Sequence, residues 1–156
     1  MALTKIVSSG QPGVDRAALD AALALGFPCG GWGSADPGSA LDAVAEQRAV
    51  TAPGAERREL MQRNVRDSDG TVIFFNQTLT GGTKRTRDLC IREKKPFIVL
   101  DAAQIAVDRA VKAVLRFIDE NEIQVLHVAG PRAGGWAGGN RFAADVVGAV
   151  LEGQID

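Results

Sequence analysis

Short apolar runs alternate with longer amphipathic ones from one end of the chain to the other. A strand is predicted from Thr4 to Ser8, and Gly13 to Leu25 reads as a helix, alanine-rich and free of breakers. Phe27 to Trp32 is a second short strand ending in a glycine pair. From Gly33 to Gly54 the chain turns to Gly, Ala, Ser, Asp and Pro with weak periodicity, a long surface excursion with a turn of helix around Leu41 to Gln47. Glu56 to Arg66 is a helix closed by the turn cluster Asp67, Ser68, Asp69 and Gly70. The uninterrupted apolar run Thr71 to Phe75 predicts a strand covered on both faces. After the turn TLTGGT comes a helix from Lys84 to Glu93, which Pro96 stops, then a strand from Phe97 to Leu100. Asp101 is placed as the cap of a helix whose Val107, Val111, Val114, Leu115 and Ile118 fall at helical spacing. Gln124 to Ala129 is the last strand, and a helix from about Arg141 to Leu151 closes the chain. Strands alternating with helices predict one α/β domain over residues 1–156, a mainly parallel sheet between two helical layers.

Composition narrows the function classes. With 46% hydrophobic residues in 156 and a formal net charge of −1, the chain has material for one good core and no global field to attract nucleic acid. No apolar run approaches the roughly 20 residues that span a bilayer. Cys29 and Cys90 lie in no metal spacing and suit reduced thiols, so a soluble cytoplasmic protein is expected. The alanine-rich first helix and the valine-rich faces at 107–118 and 146–151 offer more apolar surface than one small sheet covers, which predicts a homo-oligomer, a dimer or tetramer.

In a parallel sheet the loops after Ser8, Phe75 and Ala129 emerge at one edge, where ligands sit in such folds. Each is glycine-rich: Gly10 and Gly13, then Gly81 and Gly82, then Gly130, Gly134 and Gly135. Backbone N–H groups at such loops and at the helix N-termini that follow them suit phosphate oxygens. Arg132 adds a planar fork for an anion, and Lys84, Arg85 and Arg87 follow the second loop. Trp32 and Trp136 are candidates to stack on a flat heterocycle.

The stretches SSGQPGVDRAALDAALALG, GGW, NVRDSDGTVIFF, LTGGTKRT and VLHVAGPR, in this order over nearly the whole chain, resemble the molybdenum carrier family. That family is a circularly permuted YpsA-like branch of the SLOG superfamily, related to the lysine-decarboxylase-like proteins. The resemblance implies a three-layer α/β/α Rossmann-like fold. It also implies a ligand site built from Ser8, Ser9, Gly10, Gln11, Gly13, Asp15 and Arg16, faced by Gly81, Gly82, Thr83 and Thr86. The third loop's Gly130, Pro131 and Arg132 are further candidate ligand contacts on the loop reading above. Other members of the superfamily are phosphoribohydrolases that use a glutamate a few residues after a paired glycine; Asp88 stands at the similar position here. The first loop departs from the family's Ser-Gly-Gly-Gln-Thr-Gly at Ser9 and Pro12, which removes a glycine, a hydroxyl and an amide donor. The segment after GGW lacks the family's basic residues until Arg48.

Catalytic chemistry finds few bearers. His127, the one histidine, lies in the apolar strand VLHVA and reads as a hydrogen-bonded structural residue. Without His and Cys partners no metal site is expected, and the loops lack the Lys-Ser or Lys-Thr ending of a P-loop. Asp67, Ser68 and Asp69 read as turn formers. The expectation is a binding protein for a phosphorylated small molecule, either the molybdenum cofactor or a nucleotide. The alternatives are a nucleoside monophosphate phosphoribohydrolase with Asp88 as its acid, and a regulatory or scaffold module without catalysis.

Overall fold

The computed structural model describes residues 3–33, 47–49 and 57–154. In chain order the elements are β1 (Lys5–Val7), α1 (Val14–Ala24), β2 (Cys29–Gly33), β3 (Gln47–Ala49), α2 (Arg57–Arg66), β4 (Gly70–Phe75), α3 (Gly81–Arg92), β5 (Phe97–Asp101), α4 (Val107–Glu120), β6 (Val125–Ala129) and α5 (Gly139–Glu152). The strands form one sheet in the order β3-β2-β1-β6-β4-β5, and every pairing is parallel.

Period-two alternation divides the strands between two helical layers. Ile6, Val72, Phe74, Leu100, Leu126 and Val128 face the layer of α1, α4 and α5, where they meet Ala18, Val114, Val146 and Val150 in the main core. The opposite face is smaller: Val65 of α2 with Leu89 and Cys90 of α3, backed by Met61 and Phe97. The alanines of α1 have a direct reason in this arrangement. Ala17, Ala18 and Ala22 are buried where α1 runs against α5, so the helices approach closely because no larger side chain separates them. An Ala18→Leu change would overpack this seam at a cost of about 1–3 kcal/mol.

Several expectations are corrected here. The paired glycines Gly81 and Gly82 form the first turn of α3 rather than a turn before it. Asp101 caps no helix: its Oδ1 accepts the N–H groups of Gln77 and Ala103, and α4 starts at Val107 after Ala106. A third short strand, Gln47–Ala49, pairs with β2 inside the stretch read as an excursion; the helical turn expected around 41–47 otherwise lies outside the described residues. Of the apolar residues invoked for a homo-oligomer, Val114, Ile118, Val146, Val147, Val150 and Leu151 lie in the main core, while Val107, Val111 and Leu115 are partly buried. The exposed large hydrophobics among the described residues are Leu23 of α1, Ile91 of α3 and Val99 of β5. Cys29 and Cys90 are buried and form no disulfide. Among the described residues no helix is long and apolar enough to cross a membrane.

Candidate functional site

The three central strands, β1, β6 and β4, are neighbours, yet their following helices part company. Those after β1 and β6 pack on one face of the sheet and the one after β4 packs on the other. A crevice therefore opens at the carboxyl ends of β6 and β4, as it does wherever connections from adjacent parallel strands diverge. It holds a cavity of about 270 Å³ walled by all three loops, with Leu60, Met61 and Asn64 of α2 on its flank and His127 beneath.

The first loop is closed onto the third. Gly13 takes φ +117°, and a Cβ there would stand 2.6 Å from the amide nitrogen of Ala133 and 2.7 Å from the carbonyl oxygen of Pro131. Across this contact Val14 N–H donates to Pro131 O at 3.4 Å and Ala133 N–H donates to Pro12 O at 3.0 Å, around a single antiparallel bridge between Gly13 and Arg132. The glycine thus serves chain-to-chain approach rather than approach of a ligand. Arg132 Nη2 donates to Gln11 Oε1 at 3.1 Å, which fixes the Gln11 amide so that its Nε2 is buried with no hydrogen-bond partner among the described residues.

Asp15 fills the place where the first loop was expected to cradle an anion. Ser9 donates its hydroxyl to Oδ2 in a short hydrogen bond, and Gly130 donates its N–H to Oδ1 at 3.2 Å. Ser9 thereby supplies a donor to this carboxylate that a glycine would lack. Asp15 lines the cavity, and desolvation there pushes its carboxyl up to about 6 against the opposing hydrogen bonds and the Arg132 charge.

The second loop leaves its donors free for a ligand. Thr80 precedes α3 without a side-chain cap, and the first amide bonded within the helix is Lys84 N–H to Thr80 O at 3.3 Å. Gly81, Gly82 and Thr83 therefore have no intrahelical partners for their N–H groups, and Gly82, Thr83 and Thr86 line the cavity. Thr86 returns its hydroxyl to Gly82 O at 3.0 Å.

At the floor, His127 and Thr71 are register partners on β6 and β4, and His127 Nδ1 lies 3.1 Å from Thr71 Oγ1. This agrees with a structural histidine, although its ring also borders the cavity. Burial lowers it to about 4, so it is neutral near pH 7. Cys90 approaches the same threonine, and burial raises its thiol.

Of the expected site residues, Ser9, Gln11, Asp15, Gly82, Thr83, Thr86, Gly130, Pro131 and Arg132 line the cavity. Ser8 does not: its hydroxyl donates to Asp15 O at 3.1 Å and helps shape the loop. Gly10 and Gly81 take positive φ at the loop bends, and Arg16 turns away to pair with Asp20 at 2.9 Å. Asp88 is exposed and pairs with Arg87 at 3.1 Å, because Thr83, Thr86 and Cys90 take the inward face of α3 and position 88 falls on the other side. Trp136 borders the cavity, but Trp32 is occupied elsewhere. Its indole N–H donates to Asp67 at 2.7 Å, Arg63 lies 4.5 Å over its ring, and its backbone is held by the buried Asn64 amide. Sequence reasoning missed Asn76, Thr78 and Thr80, which directly follow a buried strand, and Leu60 and Met61, whose helix bears no local mark of a site. Among the described residues no cluster of His, Cys, Asp and Glu could hold a metal ion.

The model of the circularly permuted YpsA SLOG family matches residues 6–151. The chain is also similar to the crystal structure of a "Putative molybdenum carrier protein" from Syntrophus aciditrophicus SB, with a TM-score of 0.89 and 33% identity over 96% of each chain. Among curated proteins none matches it.

Proposed function

The chain belongs to the circularly permuted YpsA SLOG family, and on that footing we propose that it binds a phosphorylated small molecule, a nucleotide or the molybdenum cofactor, in the cavity between β6 and β4. One observation carries the reading: the N-terminal amides of α3 and the unpartnered Gln11 Nε2 belong to the walls of one cavity, so donors without acceptors gather where an anionic group would sit. The phosphate belongs at α3 rather than at α1, whose N-terminal end already holds Asp15. Trp136, Leu60 and Met61 give the remainder of the ligand an apolar wall. These residues fit the phosphate of either ligand. Any molybdenum would arrive with the cofactor's organic part, since the described residues group no His, Cys, Asp and Glu ligands for a bare ion.

The placement of the described carboxylates favours binding without glycosidic cleavage. A hydrolase needs a carboxylate free to meet the ribose, whereas Asp88 is outside the cavity and both Asp15 oxygens are engaged. Native mass spectrometry of the freshly purified chain tests the proposal. A retained species a few hundred daltons heavier, identified as a phosphorylated compound, is expected. A chain that arrives empty and takes up neither nucleoside monophosphates nor molybdenum cofactor would leave the scaffold reading in its place.

A further inference from the structure

We propose that anion binding in this cavity is coupled to a proton on Asp15: the site gains that proton as it gains a doubly charged oxyanion. The inference rests on the anion-binding reading above and adds a condition to it.

The geometry supplies the conflict. Among the described residues Asp15 is the carboxylate that lines the cavity. It is held in place by Ser9 and Gly130, so it cannot swing out when an anion enters. A volume of about 270 Å³ keeps any occupant within about one Debye length, roughly 8–10 Å, so salt does little to hide one charge from the other. Two like charges in such a space raise each other's affinity for protons.

The neighbouring charges do not remove this repulsion. Arg132, on the third loop, attracts Asp15 and keeps its charge while donating to the neutral Gln11 Oε1, but one cation cannot balance both a carboxylate and a doubly charged anion. His127, from β6, is neutral above its pKa of about 4. From α5 the nearest contribution is the uncharged Asn140 amide, which donates to Gly13 O at 3.4 Å, while Arg141 and Asp145 pair with each other at the surface. On α1 itself Arg16 is engaged by Asp20, and the loop after β1 brings the hydroxyls of Ser8 and Ser9. The raised Asp15 carboxyl already lies near the pH range where a modest further push protonates it.

Sulfate is the probe, because it stays doubly charged across the range where phosphate esters titrate. Sulfate is titrated calorimetrically into the full chain at pH 5 and pH 8 at constant ionic strength, in buffers of two ionisation enthalpies. Binding at pH 5 should be on the order of tenfold tighter, with net proton uptake near pH 7. Asp15→Asn, which keeps the shape but not the charge, should bind tightly at both values with no uptake at Asp15. Carbon-13 titration of the Asp15 carboxyl in the wild-type chain gives a second reading that needs no variant: saturating sulfate should raise its pKa by about one unit, matching a tenfold linkage. Equal wild-type affinity at both pH values, or a pH dependence that survives in Asp15→Asn, overturns the coupling. Absence of sulfate binding in both chains at both pH values overturns the anion-site reading beneath it as well.

Discussion

Asp15 and His127 border one cavity, and burial displaces the two in opposite directions, the carboxyl from 3.8 to about 6 and the imidazole from 6.5 to about 4. The folded chain holds the Asp15 proton more tightly than the unfolded chain. The resulting stability is full below about pH 4 and is lost as pH rises through 6. The folded chain disfavours the His127 proton, so that contribution is full above about pH 6.5 and is lost as pH falls through 4. The two slopes oppose one another in the wild-type protein. Chemical denaturation across pH 4 to 7 should show Asp15→Asn gaining on the order of 2 kcal/mol relative to wild type toward neutral pH. His127→Gln, which can still meet Thr71, should gain relative to wild type toward acid pH. Parallel curves for the three chains would mean that neither group is displaced as described.

Gly13 supports the wall between the first and third loops. Gly13→Ala puts a Cβ against three backbone atoms at a φ that side chains resist, and should cost about 2–4 kcal/mol in urea denaturation. Gly134→Ala, in the same third loop but with nothing within 4 Å of the added carbon, should stay within about 0.5 kcal/mol of wild type. Equal costs would show that the clasp is not formed.

Gly82 separates ligand approach from folding. A Cβ there meets the mobile end of Met61 at 3.0 Å, so the chain can accommodate a substitution by moving that methyl group. Gly82→Val then crowds the amides of α3 and should weaken binding of a nucleoside monophosphate by about tenfold or more, about 1.4 kcal/mol, with little change in melting temperature. Unchanged affinity in a folded variant would remove α3 from the anion site.

Asp88→Asn is expected to leave nucleotide affinity unaltered, since its carboxylate pairs with Arg87 outside the cavity. Incubation of wild-type protein with nucleoside monophosphates, followed by chromatography for free base, should show no turnover. Base release abolished by this substitution would reinstate the hydrolase.

The layers, the strand run and the edge carrying the site were legible because each rests on a periodic signal. TVIFF announces a strand covered twice over, and the glycine loops after Ser8, Phe75 and Ala129 do meet. What escaped is decided across the sheet. Which side of α3 turns inward is set by its packing on α2 and β4, and Thr83, Thr86 and Cys90 take that side, which leaves Asp88 outside. Gly13 looked like a phosphate glycine because sequence cannot say whether a close neighbour is a ligand or residues more than a hundred positions away. Trp32 looked like a stacking platform because its partners, Arg63 and Asp67, come from another element.

The position of β6 between β1 and β4 governs the order of assembly. β1 and β2 on one side and β4 and β5 on the other can pair early, but the two halves join only through Val125–Ala129, one of the last elements made. Pairing of Lys5 with Val125 closes a loop of most of the chain, a step whose entropy makes it slow. Both walls of the cavity await that insertion, so a nascent chain lacking β6 has no competent pocket, and a ligand that binds there selects for chains whose halves have already been brought into register.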